Sequence, residues 1–179
     1  MNPEYINLGT PDTPFQGHTG WIFTSFGRFM AIWSEFEITI EVAITRLTKM
    51  NALDASIVLS GIQFGAKAEI LKSLLSERGF EQSKSAVQKA IDIGKRNALI
   101  HSVPSGDEKS MRFAFVRREV KNTYKVREWD MSAEEFNEQV EKFLRAFYDV
   151  TISLDIKISD HTHEMRDSYG QRIDLSPQP

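Results

Sequence analysis

Residues 21–50, WIFTSFGRFMAIWSEFEITIEVAITRLTKM, decide the fold class. Phe26, Phe29, Met30, Trp33, Phe36, Ile40, Ala43, Ile44 and Leu47 recur at steps of three and four, which is the helical period. At 1.5 Å per residue the stretch makes a helix about 45 Å long. Ile32, Ile38 and Val42 lie off that stripe. More than one face is therefore apolar, and such a helix needs neighbours on two sides.

Working outward, a shorter helix is expected over 54–63, with Asp54 as its N-cap and a break near Gly61 and Gly65. The next spans 66–78, turns Ile70, Leu71, Leu74 and Leu75 inward, and ends at Gly79 in the C′ position. A fourth begins near Gln82 with Val87, Ala90, Ile91, Gly94 and Ala98 on one stripe. It ends before Pro104, because the residue preceding a proline avoids the helical region. Pro104-Ser105-Gly106-Asp107 reads as a turn. Residues 111–116 and 124–129 read as two strands joined at Lys121-Asn122-Thr123, one β-hairpin set between helices. Asp130 or Ser132 caps a last helix. Its seam is Phe136, Val140, Phe143, Phe147, Val150 and Leu154.

The expectation is a mostly all-α chain: an antiparallel bundle of four to five helices, with one β-hairpin inserted between the last two. It forms a single domain. An irregular arm covers 1–18, the helical core 20–156, the hairpin 110–130 and a polar tail 159–179. The long helices carry more apolar surface than a small bundle buries, so part of it is expected to face a second copy.

Composition narrows the chemistry. With no cysteine, disulfides, thiol nucleophiles and thiolate metal sites are excluded. A net charge of −3 argues against a chain that coats nucleic acid along its whole surface, though not against a local basic face. No apolar run reaches the roughly 18 residues of a membrane span. The first residues lack a basic region followed by an apolar one, so a cytoplasmic protein without membrane partners is expected. His161 and His163 in the polar tail space two imidazoles for a metal but lack further ligands. No metal and no cofactor is expected.

Arg96-Asn97-Ala98-Leu99-Ile100-His101 places a permanent cation, an amide and an imidazole close together. Arg matches phosphate geometry, and His moves protons near neutral pH. On an ideal helix Asn97 and His101 share a face. Arg96 and His101, five apart, diverge by roughly 140°. They meet if the Arg side chain folds around, if the helix unwinds before Pro104, or if a second subunit supplies the partner. From spacing alone, a His in a last turn interacting with the helix dipole is equally served.

The segment Lys95–Ser102 resembles the R-x4–6-H signature of the HEPN superfamily (higher eukaryotes and prokaryotes nucleotide-binding domains). In that family a polar residue, often Asn, follows the Arg. The motif ends a late helix of an all-α bundle, and another long helix follows. The resemblance covers roughly 20–156, of which the sequence-specific part is the six-residue motif. It implies a metal-independent endoribonuclease acting as a homodimer, with motifs facing each other across the interface, in toxin–antitoxin, phage-defence or RNA-processing settings. His101 would be the general acid or base, and Arg96 would stabilise the phosphorane charge. Asn97 would orient the phosphate or His101. Attack by the 2′-hydroxyl would leave a 2′,3′-cyclic phosphate. An antitoxin or regulatory protein is an implied partner. Val103 stands where toxins paired with a nucleotidyltransferase often carry Tyr, so control by tyrosine modification is not implied.

From Lys109 to Arg127 there are seven basic residues and one acid, Glu119. Arg112, Arg117, Arg118, Lys121, Lys125 and Arg127 are the candidates for holding an RNA backbone, with binding that falls as salt rises. Phe113, Phe115, Tyr124 and Trp129 either stack bases or pack on the helices. Glu37 and Glu41, one turn apart on the first helix, are candidates to orient His101 or Arg96, or to flank the core stripe. Two other functions stay open: a non-catalytic module of the same fold that binds nucleotides or RNA, and a structural or regulatory homodimer.

Overall fold

The computed structural model describes residues 19–95, 99, 103–107, 112–120 and 124–156. The arm 1–18, the hairpin tip 121–123 and the tail 159–179 lie outside the described residues. In chain order the elements are α1 (Thr19–Thr48), α2 (Ala52–Ser60), α3 (Phe64–Glu77), α4 (Glu81–Gly94), β1 (Val103–Asp107), β2 (Arg112–Val120), β3 (Tyr124–Ser132) and α5 (Ala133–Ser153). The chain is mostly helical. No helix among the described residues is long and apolar enough to cross a membrane.

The caps show why the helices start and stop. α2 begins at Asn51 rather than Asp54: the Asn51 side-chain oxygen accepts from the Asp54 backbone N–H at 2.8 Å. Asp54 instead sits in the first turn, where its carboxylate accepts from the Asn51 amide at 2.6 Å. α3 closes in a Schellman motif. The Phe80 N–H donates to the Leu75 carbonyl at 2.8 Å and the Gly79 N–H to Ser76 at 3.0 Å. Gly79 takes φ +77°, which glycine adopts without a Cβ penalty. Ser132, not Asp130, caps α5. Its hydroxyl accepts from the Glu135 N–H at 3.1 Å, and the Glu135 carboxylate accepts from the Ser132 N–H at 2.6 Å, a reciprocal capping box.

Two departures lie between α4 and α5. The fourth helix, expected to reach almost to Pro104, stops at Gly94, and Lys95 turns left-handed at φ 46°. A left-handed residue ends a right-handed helix. In addition, Pro104–Asp107 is strand rather than turn. β1 pairs antiparallel with β2 from Val103↔Val116 to Asp107↔Arg112, so the expected single hairpin is a three-stranded sheet in the order β1-β2-β3. Proline is tolerated there because β1 is an edge strand and a missing N–H need not cost a ladder bond.

The described residues fall into two compact units. In the first, Met1–Phe29 with Asn97–Asn137, the core is aromatic. Phe115 of β2 is fully buried and stacks on Phe136 at 5.9 Å, and Phe136 meets the edge of Phe29 at 6.4 Å. Leu99 is buried as well.

In the second unit, Met30–Arg96 with Glu138–Pro179, Trp33 stacks on Phe143 at 5.0 Å with the rings 17° apart. Phe36 and Phe64 meet Trp33 edge-on at 5.4 and 4.9 Å. Aliphatic residues Ile40, Leu71, Leu75, Val87, Val140 and Val150 are buried in the same unit. Aromatic pairs in such arrangements add about 0.5–1.5 kcal/mol each beyond the area they bury.

Candidate functional site

The motif residues Arg96, Asn97 and His101 lie outside the described residues. What the structure does describe is the chain on either side of them. α4 ends in Gly94, which is buried, and a Cβ there would run into the Trp33 ring and lie 3.0 Å from that of Phe143. Only a residue without a side chain lets the end of α4 approach that stacked pair so closely. Lys95 then leaves the helix in the left-handed region, Leu99 is buried, and Val103 opens β1.

The close approach of Gly94 makes a prediction. Gly94→Ala is expected to destabilise the protein by about 1–3 kcal/mol, the usual cost of overpacking a filled core. This is the opposite sign to a glycine-to-alanine change at an unhindered helix position. Urea unfolding of the variant would check it, and an unchanged or raised midpoint would contradict the packing described.

Glu37 and Glu41 are brought together by α1, and their partner is a residue not singled out from the sequence. Lys67 of α3 is buried, and its ammonium donates to the Glu37 carboxylate at 3.2 Å and to Glu41 at 2.5 Å. Its side chain is 6% exposed, against 26% for Glu37 and 35% for Glu41. Burial pulls the Lys67 pKa down, but hydrogen bonds and charge from Glu41 and then Glu37 outweigh it, leaving it above its ordinary 10.5. The available sequence signal was position. Lys67 falls between Phe64 and Leu71 at helical spacing, on the same inward stripe as both.

A cation on that stripe needs an anion from another element. Replacing both acids (Glu37→Gln with Glu41→Gln) is expected to cost about 2 kcal/mol. That is less than the 3–5 kcal/mol of a fully buried broken pair, because both carboxylates keep contact with water. Adding Lys67→Met should recover most of the loss, since no charge is then left to desolvate. The Lys67 pKa is raised in the fold, so its contribution is fully present below 10.5 and is lost as pH rises through the higher folded value. Thermal melts of the wild type and these two variants at neutral and strongly alkaline pH read both effects.

The basic residues divide. Arg112 donates from Nε to Asp130 at 2.7 Å. This hydrogen bond raises the Arg112 pKa and lowers that of Asp130. Arg112 is therefore already matched within the sheet. Arg117 and Arg118 stand on β2, Lys125 and Arg127 on β3, and Lys121 lies outside the described residues. In the β2–β3 register Arg117 is directly opposite Arg127, and Glu119 opposite Lys125. Phe115 belongs to the core, so of the four aromatics considered for base stacking it is withdrawn.

A polar groove between α3 and α4 also went unread in the sequence. Lys72 there reaches Gln88 at 2.6 Å and Glu69 at 2.7 Å. Lys84 reaches Ser76 at 3.0 Å and Glu81 at 3.1 Å. Each lysine is matched by an acid in the same groove, which leaves no excess positive charge for an anion.

No protein-family model, no curated protein and no solved structure matches this chain.

Proposed function

We propose that this chain is a HEPN-type, metal-independent endoribonuclease of the cytoplasm. It works as a homodimer of single domains, each an antiparallel helical bundle with an inserted β-element. The observation that carries the reading is the Arg96-Asn97-x-x-x-His101 motif, followed by a basic β-segment and a further long helix.

In this reading His101 takes or returns the proton of the RNA 2′-hydroxyl or the leaving 5′-oxygen. Arg96 stabilises charge as it builds on the phosphorus oxygens, and Asn97 orients the phosphate. The exposed apolar residues Leu53 and Ile57, one turn apart on α2, support a second copy, because an apolar helix face left in water favours association. An antitoxin or regulatory protein would hold the activity in check.

The test is incubation of wild-type protein with mixed RNA in EDTA, followed by analysis of the product ends. Cleavage leaving 2′,3′-cyclic phosphate and 5′-hydroxyl ends is the expected result. Salt-dependent binding with intact RNA would instead identify a non-catalytic RNA-binding module. Neither binding nor cleavage would leave a structural dimer.

A further inference from the structure

Charge is not spread evenly along the sheet. β1 pairs with β2 only as far as Val116, so residues 103–107, 112–116 and 128–132 make up the three-stranded part. Among the described residues that part carries one base, Arg112, against three acids, Asp107, Glu128 and Asp130. Beyond it, β2 and β3 continue as a two-stranded ribbon, with 117–120 paired to 124–127. Those paired residues carry four bases, Arg117, Arg118, Lys125 and Arg127, and one acid, Glu119. Among the described residues the sign of the charge changes beyond the Val103↔Val116 pair, where β1 starts.

Within the ribbon, the register cancels one base and concentrates the rest. Glu119 stands opposite Lys125, a favourable cross-strand pair. Arg117 stands opposite Arg127, an arrangement of like charges that opposes strand pairing. The register thus sets two permanent cations at directly opposite positions, a pairing whose charge suits a phosphate. A bound phosphate turns that repulsion into attraction.

We propose that the two-stranded ribbon is the RNA-backbone clamp of this protein, with the Arg117–Arg127 pair at its centre, and that the three-stranded part, including Arg112, is not part of it. The proposal rests on the ribonuclease reading only for the identity of the polyanion. Residues 117–127 contain no Leu, Ile, Met, Phe or Trp, the residues that seat an element in a lipid surface. Tyr124 offers a ring on which a base can stack.

The experiment uses the full chain and a fluorescent 2′-O-methyl RNA, which cannot undergo 2′-hydroxyl attack. Anisotropy is read between about 50 and 200 mM salt, the range in which phosphate contacts are most visible. Arg117→Ala with Arg127→Ala is expected to weaken binding about tenfold or more. It should lower the slope of log affinity against log salt by about 1.4, at 0.7 for each lost single-strand contact. Arg118→Ala with Lys125→Ala should act in the same direction without touching the opposed pair, which covers the case of a misfolded first variant. Arg112→Ala should bind within about twofold of wild type.

The proposal is overturned if both ribbon variants bind with wild-type affinity and slope, or if Arg112→Ala weakens binding as much as they do. It is equally overturned if the protein prefers phosphatidylserine vesicles to the RNA. Cleavage of ordinary RNA, measured in parallel, separates the two ideas. Cutting with ribbon-independent binding defeats the clamp alone, and ribbon-dependent binding without cutting defeats the ribonuclease alone.

Discussion

His101→Ala is expected to lower RNA cleavage by about a thousandfold, with the melting temperature little changed. A positioned general acid or base contributes roughly 10²–10⁴ in rate, and His101 is the only histidine in the motif. Arg96→Ala should lose about 10²–10³, the range for removing one preorganised group that stabilises charge in the transition state. The two losses should not add, because groups acting on one transition state function as a unit. Arg96→Lys keeps the charge but not the planar fork, so its activity should fall between wild type and Arg96→Ala. Initial rates on a defined RNA, with circular dichroism melts of each variant, make the comparison. Equal cutting by wild type and His101→Ala would remove His101 from the chemistry and the HEPN reading with it.

Phe36→Ala should produce the largest loss of stability of any single change described, about 3–5 kcal/mol. Phe36 is fully buried. Its ring lies 5.4 Å from Trp33, 5.9 Å from Phe64, 5.7 Å from Phe143 and 5.6 Å from Phe147. Those neighbours are themselves large and buried, so they cannot collapse far into the space left behind. Against a total of some 5–15 kcal/mol, the loss is a substantial fraction. It should appear as a melting temperature lower by roughly 10 °C in a chain of this size. Phe36→Leu should cost much less, since it keeps most of the volume. Thermal and urea unfolding decide the point, and a loss below about 1 kcal/mol would mean that the aromatic cluster is not packed as described.

The helices were legible because their signals are local. The stripe Phe29, Trp33, Phe36, Ile40 and the seam Phe136, Val140, Phe143, Phe147 repeat within a few residues, and all eight are buried. Gly79 could be placed at a helix end for the same reason. The cap of α2 was misplaced by three residues, since Asn51 and Asp54 both suit the role and only the hydrogen-bond geometry separates them. Pro104–Asp107 was misread because a proline next to Ser-Gly-Asp signals a turn unless a neighbouring strand is there to pair with it. The stop of α4 at Gly94 was invisible because Lys95 has no intrinsic preference for the left-handed region.

For the candidate site, the residue types of Arg96, Asn97 and His101 were readable, as was the total charge of the basic segment. The partner of Glu37 and Glu41 was not. Lys67 lies 30 and 26 residues away from them, and no local periodicity reports which helices meet.

What the sequence determined by itself is therefore the set of helical periods, the turn and cap chemistry, and an Arg-Asn-His motif beside a basic stretch. What only the tertiary structure decided is that Lys67 closes on Glu37 and Glu41, that Gly94 must be bare against Trp33 and Phe143, and that the basic ribbon lies beyond the Val103↔Val116 pair where β1 starts. The physical reason is one of range. Propensity and periodicity act over one or two turns, whereas desolvation, close packing and strand register depend on which distant residues arrive at the same place.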